Sequence, residues 1–275
     1  MTDPSWDFRD PACQDRLLGV LRREIDDTFA LVHGPAAWDA PTACAGWGAR
    51  DVIGHLVDTT EGYLPAFDIA RNGGTAPQPH GLRIMSQLVD EGAKAFRKVP
   101  QDELLDRLRD DAHRMLEVFD GLSAEDWGNL LVPHNYMGPL PAMFYPIFQL
   151  VDYTVHSWDI RQGQGQGGPH GITGDAADLL VPLIFILWGA TADTSAVTAP
   201  YSVGIRVSGV NGGDTRADVT SEGVQFTPGS IDDCPATLEF DPATLTLVAY
   251  GRINGGTVRG DRATADQFRR LFFAI

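Results

Sequence analysis

The sequence predicts two domains of different class: a bundle of four long helices over residues 1–195, then a small α+β domain over residues 196–275. Three observations predict it. Up to about residue 163, long segments carry apolar residues at three- and four-residue spacing, the period of a helix with one buried face. After Pro200 the pattern turns to alternation broken by Gly-rich turns, the period of half-buried strands. With 275 residues, 43% of them hydrophobic, the chain is long and apolar enough to bury a core in each of two modest domains.

The elements follow in order. Asp10-Pro11 opens a first helix with Leu17, Leu18, Leu21, Ile25, Phe29 and Val32 on its apolar stripe, and Gly34-Pro35 ends it. Glu24, Asp26 and Asp27 read as its solvated face. A loop from Pro41 to Gly48 holds Cys44 and Trp47. A second helix runs from about Ala49 to Arg71, with Val52, Ile53, Leu56, Tyr63, Leu64 and Phe67 inward. Gly73 to Pro79 reads as a linker. Helical spacing returns over 81–99 and 102–119, with Pro100 as the break and His113 on a solvated face. Leu131 to Pro141 reads as a turn-rich loop, and Met143 to Arg161 as a nearly apolar helix. Gly163 to Pro169 reads as a flexible linker whose glycines follow no strand, which gives a phosphate loop no support. A further apolar helix spans Asp175 to Thr191.

The domain boundary falls between Thr194 and Pro200. Beyond it, Ser202–Val210 and Arg216–Phe226 alternate like strands joined by a turn at Asn211-Gly212-Gly213-Asp214. Pro235–Phe240 is a short strand. Asp241-Pro242 starts a helix, with Asp as its cap and Pro in its first turn. Gly256–Gly260 suggests a strand and Ala263–Phe273 a closing helix.

The formal net charge of −16 comes with no basic tract, which argues against nucleic acid and anionic membranes as partners. The first residues are acidic and do not read as a signal peptide. The run Leu179–Ala190 is the nearest to a membrane span, but it is short and contains Pro182. Three widely spaced cysteines, Cys13, Cys44 and Cys234, fit free thiols in a reducing cytoplasm and no thiolate zinc site.

Asp152 and His156 carry the chemistry. Four apart on a helix, they share a face, close enough for a carboxylate and an imidazole to meet one cation. The same spacing serves a surface pair, but here it interrupts a run that reads as buried, where unpaired polar groups are costly. Asp159, three residues on, is in reach of the second ring nitrogen of His156. His55, on the apolar face of the second helix, is the candidate third ligand. Alone it reads first as a core histidine, with Asp51 one turn earlier able to satisfy it. In a bundle, side chains from separate helices converge, and two histidines with one carboxylate form a common zinc set. Ni(II), Fe(II) and Mn(II) suit it too. His134 and Tyr136, in the loop before the Asp152 helix, are candidate substrate contacts or plain surface-loop residues.

Cys44-Ala-Gly-Trp47-Gly-Ala-Arg50-Asp51-Val-Ile-Gly-His55-Leu resembles the motif that opens the second helix of DinB-like bundles of the mycothiol-dependent maleylpyruvate isomerase type. Val155-His156-Ser-Trp158-Asp159 is similar to that family's second metal motif, in which a Glu stands four residues before the His; here the position is Asp152, a shorter arm. Phe240-Asp-Pro-Ala-Thr, Tyr250-Gly-Arg252-Ile-Asn-Gly-Gly256 and Arg259-Gly-Asp261 resemble its sterol-carrier-like C-terminal domain. The resemblance implies a divalent metal, usually zinc, and mycothiol as co-substrate, its thiol deprotonated on the metal. It also implies that Arg252 helps to bind an acidic substrate; the position suits a turn arginine paired with Asp261 as well.

The function expected is therefore S-transfer to, or cis-trans isomerisation of, a small electrophile, in a monomer or homodimer. The alternatives are a metal-dependent hydrolase using bound water and a non-catalytic carrier of a small molecule or lipid.

Overall fold

The structure is a computed structural model that describes residues 3–166 and 171–275. Three of the seven residues of the expected Gly163–Pro169 linker, 167–169, lie outside the described residues. The chain divides into two compact units, one ending at Ile172 and one beginning at Thr173.

In the first unit, α1 (Gln14–Leu31), α3 (Ala49–Asn72), α5 (Gln101–Asp120) and α7 (Phe144–Gly163) are the long helices. The short α2 (Pro35–Trp38) precedes α3, α4 (Met85–Ala95) packs on α3, and α6 (Ala124–Asn129) follows α5. α1 lies against α7 and α3 against α5, and the α1–α5 and α3–α7 contacts close the bundle. The core stripe of α1 continues from Leu17 and Leu21 into Glu24 and Thr28. Glu24 is thus buried, accepting from Arg23 Nη2, rather than solvated as its type suggests. Thr28 Oγ1 reaches across to Ser157 Oγ of α7 at 2.7 Å.

Two glycines set how closely the elements approach. A Cβ on Gly54 would lie 2.5 Å from the Ala93 carbonyl oxygen, so α4 packs against bare α3 backbone. Gly163, expected in a linker, is the last residue of α7, and a Cβ there would collide with the backbone of Pro41 and Thr42. α6 has no long apolar stripe to announce it, only the capping box of Ser123 with Asp126.

Residues 131–141 are a hairpin and not a loop: β1 (Leu131–His134) pairs antiparallel with β2 (Gly138–Pro141). Pro133, Pro139 and Pro141 hide it in the sequence, because proline fits only strands with an unpaired side. Here Pro133 and Pro139 face each other in a two-stranded sheet with two open edges.

The second unit is a five-stranded sheet in the order β5-β4-β3-β6-β7. The strands are β3 (Tyr201–Val207), β4 (Gly213–Thr220), β5 (Gly223–Pro228), β6 (Ala236–Phe240) and β7 (Thr257–Gly260). β3 runs parallel to β6 and the other pairs are antiparallel. The expected strand Arg216–Phe226 is two strands, turning at Ser221-Glu222 so that Thr220 faces Gly223. Alternate residues Val203, Ile205 and Val207 of β3, Ala217 and Val219 of β4, and Ala236, Leu238 and Phe240 of β6 share one core.

That core is completed by α8 (Gly174–Thr191), α9 (Pro242–Ala249) and α10 (Arg262–Arg269), through Val181, Ile184, Trp188, Leu245, Ala265 and Phe268. α8 therefore groups with the sheet, earlier than the boundary expected after Thr194. The physical reason is coverage: α9 and α10 have eight residues each, too few to bury the inner face of five strands. By length and composition α8 is apolar enough to cross a membrane. In the fold it sets Trp188 among Phe226, Phe240, Phe268 and Phe272, with centroids 5.1–6.5 Å apart.

Candidate metal centre

α3 and α7 bring together residues almost a hundred positions apart in the chain. One nitrogen each of His55 and His156 and one carboxylate oxygen of Asp152 lie within 4.8 Å of one another. His55 Nε2 stands 3.6 Å from Asp152 Oδ1, so the shorter aspartate arm reaches. Four-coordinate zinc, with bonds of about 2.0–2.2 Å, needs neighbouring ligand atoms roughly 3.3–3.6 Å apart. The three donors thus fit a small divalent cation after a shift of about an ångström in the widest pair.

The other ring nitrogens are engaged. His156 Nδ1 is 2.9 Å from Asp159 Oδ2, whose side chain is fully buried, and this leaves Nε2 facing the cluster. This is the contact that the three-residue spacing predicts. His55 Nδ1 lies 3.4 Å from Thr59 Oγ1, one turn further along α3. Burial, more than the opposing pull of Asp159, pushes the His156 pKa down and favours the neutral imidazole, the form that binds metal. The two histidines are buried, whereas the Asp152 side chain is 23% exposed, so the cluster opens to solvent on the aspartate side.

Trp47 forms the wall behind the histidines. Its ring stacks on His156 at 5.5 Å and leans on His55 at 5.4 Å. Its indole Nε1–H donates to Asp90 Oδ1 at 2.9 Å, and Asp90 is paired with Lys94, both on α4. Trp47 stands in the motif that resembles the family, but its anchor Asp90 is visible only once α4 packs over Gly54. Asp51 does not satisfy His55. It accepts from Gly48 N–H at the start of α3 and from Arg97 Nε and Nη2, which holds its carboxyl below the usual range.

His134 and Tyr136 sit at the hairpin tip. The His134 ring is buried among Tyr63, Tyr136, Tyr145 and Phe148, with centroids 5.5–6.1 Å away. Burial pushes its pKa down to about 4, against the weaker pull of the Asp152 charge. Burial and the nearby Asp58 charge push the Tyr136 phenol up, so it stays protonated. Arg252 lies in the second unit, in the turn after α9, where its Nη1 donates to the Tyr250 carbonyl. Asp261 caps α10 through Ala263 N–H and Thr264 N–H.

The family described as the mycothiol maleylpyruvate isomerase N-terminal domain matches residues 18–161, just over half of the chain. No curated protein sequence matches. Two crystal structures of a mycothiol-dependent maleylpyruvate isomerase share the fold. A mutant form aligns with TM-score 0.59 and 15% identity over 90% of this chain and 94% of that one. The second structure gives 0.58 and 14% at the same coverages.

Proposed function

The chain belongs to the family of the mycothiol maleylpyruvate isomerase N-terminal domain, and from that premise we propose that it is a metal- and thiol-dependent enzyme acting on a small electrophile, with mycothiol as its thiol. The observation that carries the reading is the convergence of His55, Asp152 and His156 in a largely buried cluster backed by Asp159.

In this reading the three side chains hold one divalent cation, zinc being the best fit to two imidazoles and a carboxylate. When bound, the cation supplies the deprotonation of the thiol at neutral pH, so that no general base is needed. His55 and His156 each present a ring nitrogen, and Asp159 fixes the orientation and raises the basicity of His156. Trp47 closes the histidine side to water, and the exposed Asp152 side is where thiol and electrophile enter.

In cis-trans isomerisation, sulfur bonds to one carbon of a conjugated double bond, the remaining single bond rotates, and loss of the sulfur restores the double bond in trans form. In S-transfer the adduct is kept or a leaving group departs. The test is metal analysis of the purified protein, followed by mass spectrometry of its reaction with mycothiol and a panel of electrophiles. Stoichiometric metal and conversion that stops when mycothiol is omitted support the reading. Conversion without thiol means a hydrolase, and no conversion together with co-purified lipid means a carrier.

A further inference from the structure

The hairpin that carries His134 fixes which of its nitrogens bears hydrogen. The backbone N–H groups of Tyr136 and Met137 both donate to Nδ1, each at 3.3 Å. Nδ1 is therefore the acceptor, and the neutral ring carries its hydrogen on Nε2. Among the described residues nothing accepts from Nε2. The turn is held in turn by the segment before α4: His80 N–H donates to the Asn135 carbonyl and Gly81 N–H to the Tyr136 carbonyl.

The ring stands in the groove between the two helices that form the metal cluster. On α7 it packs against Phe148, one turn before Asp152; on α3 it packs against Tyr63, two turns after His55. One turn is a rise of about 5.4 Å, so the ring's packing partners lie about one turn from the cluster along α7 and about two turns along α3. The ring is within electrostatic reach of Asp152, the member of the cluster that is exposed to solvent.

We propose that His134 is the hydrogen-bond donor that receives the electrophile's carbonyl oxygen, through an Nε2–H whose position is set by the hairpin turn. This rests on the thiol-dependent reading above and adds to it the role of one residue, for electrophiles whose double bond is conjugated to a carbonyl. When sulfur bonds to such an alkene, the π electron pair moves onto the carbonyl oxygen as an enolate. A fixed donor at that oxygen stabilises the charge. The proton stays on Nε2, and return of the electron pair expels the sulfur, so no further reactant is needed. A neutral ring flanked by aromatic faces retains this donor without the cost of burying a cation.

Two variants separate the donor from the turn. In His134→Asn the amide oxygen takes the place of Nδ1 and accepts the same two N–H groups, as in an Asx-turn, while the reach of Nε2–H is lost. In His134→Gln an amide N–H reaches the place of Nε2. The first measurement uses zinc-loaded protein and diethyl maleate without thiol, followed by the histidine nitrogen resonances. In the wild type the His134 Nε2 resonance shifts on binding, His134→Asn binds several-fold more weakly with unchanged zinc content, and His134→Gln recovers most of the affinity. The second is the rate with mycothiol: towards diethyl maleate His134→Asn loses about 10²–10³ in kcat, the loss seen for one oxyanion donor, with a much smaller loss towards benzyl chloride, whose displacement places no charge on an oxygen. An Nδ1–H tautomer, no shift of Nε2, equal binding by His134→Asn, or equal loss towards both electrophiles overturns the proposal. Binding through His134 without any thiol-dependent turnover overturns the thiol reading alone.

Discussion

Acid should unfold the first unit partly through one side chain, His134. Its folded-state pKa of about 4 lies below the ordinary 6.5, with burial as the main cause. The unfolded chain takes up this proton near pH 6.5 and the folded chain only near 4, so His134 contributes stability above pH 6.5 that is lost as pH falls towards 4. With those two values, single-site linkage gives a loss of about 2 kcal/mol between pH 7 and pH 4.5. The buried carboxylates add their own pH dependence, which a non-titrating variant shares. The comparison is therefore wild type against His134→Asn, both free of metal, unfolded in urea at the two pH values. A Trp188→Phe background leaves every remaining tryptophan in the first unit, so fluorescence reports that unit alone. The wild type should lose about 2 kcal/mol more than His134→Asn over the interval. Parallel losses, or a His134 ring that titrates near 6.5, would refute the picture of a buried imidazole whose Nδ1 is already occupied by two donors.

Three further outcomes follow from particular contacts. Asp159→Asn keeps the shape but weakens the hold on His156 Nδ1, and zinc affinity should fall about 10–100-fold with little change in Tm, by titration against a chelator. Gly54→Val drives a side chain into the Ala93 carbonyl, which should cost about 1–3 kcal/mol and release Trp47 from Asp90, seen as a shift in tryptophan emission. Trp188→Ala empties the centre of the second unit's aromatic core and should destabilise that unit by about 3–5 kcal/mol in urea unfolding, with zinc content unchanged.

Much of this was legible in the sequence because it is local. The three- and four-residue stripes of α1, α3, α5 and α7, the Asp241-Pro242 helix start and the alternation of β3 are patterns of neighbours along the chain, and the structure shows each of them. The pairing of His156 with Asp159 also follows from helical spacing alone. The hairpin at 131–141 was hidden because its three prolines are tolerated only by a strand pair with open edges, a fact about the whole sheet.

The amino-acid order by itself determined which residues have the chemistry to serve a cation and which helix face each occupies. Tertiary structure decided the rest: that His55 meets Asp152 and His156, that Asp51 answers Arg97 and not His55, that α8 joins the sheet, and that Glu24 is buried. The physical reason is range. Helical and strand periods are set by the backbone within a few residues, whereas a partner for a buried charge or an uncovered apolar face is chosen by whatever packing brings near, at any distance along the chain.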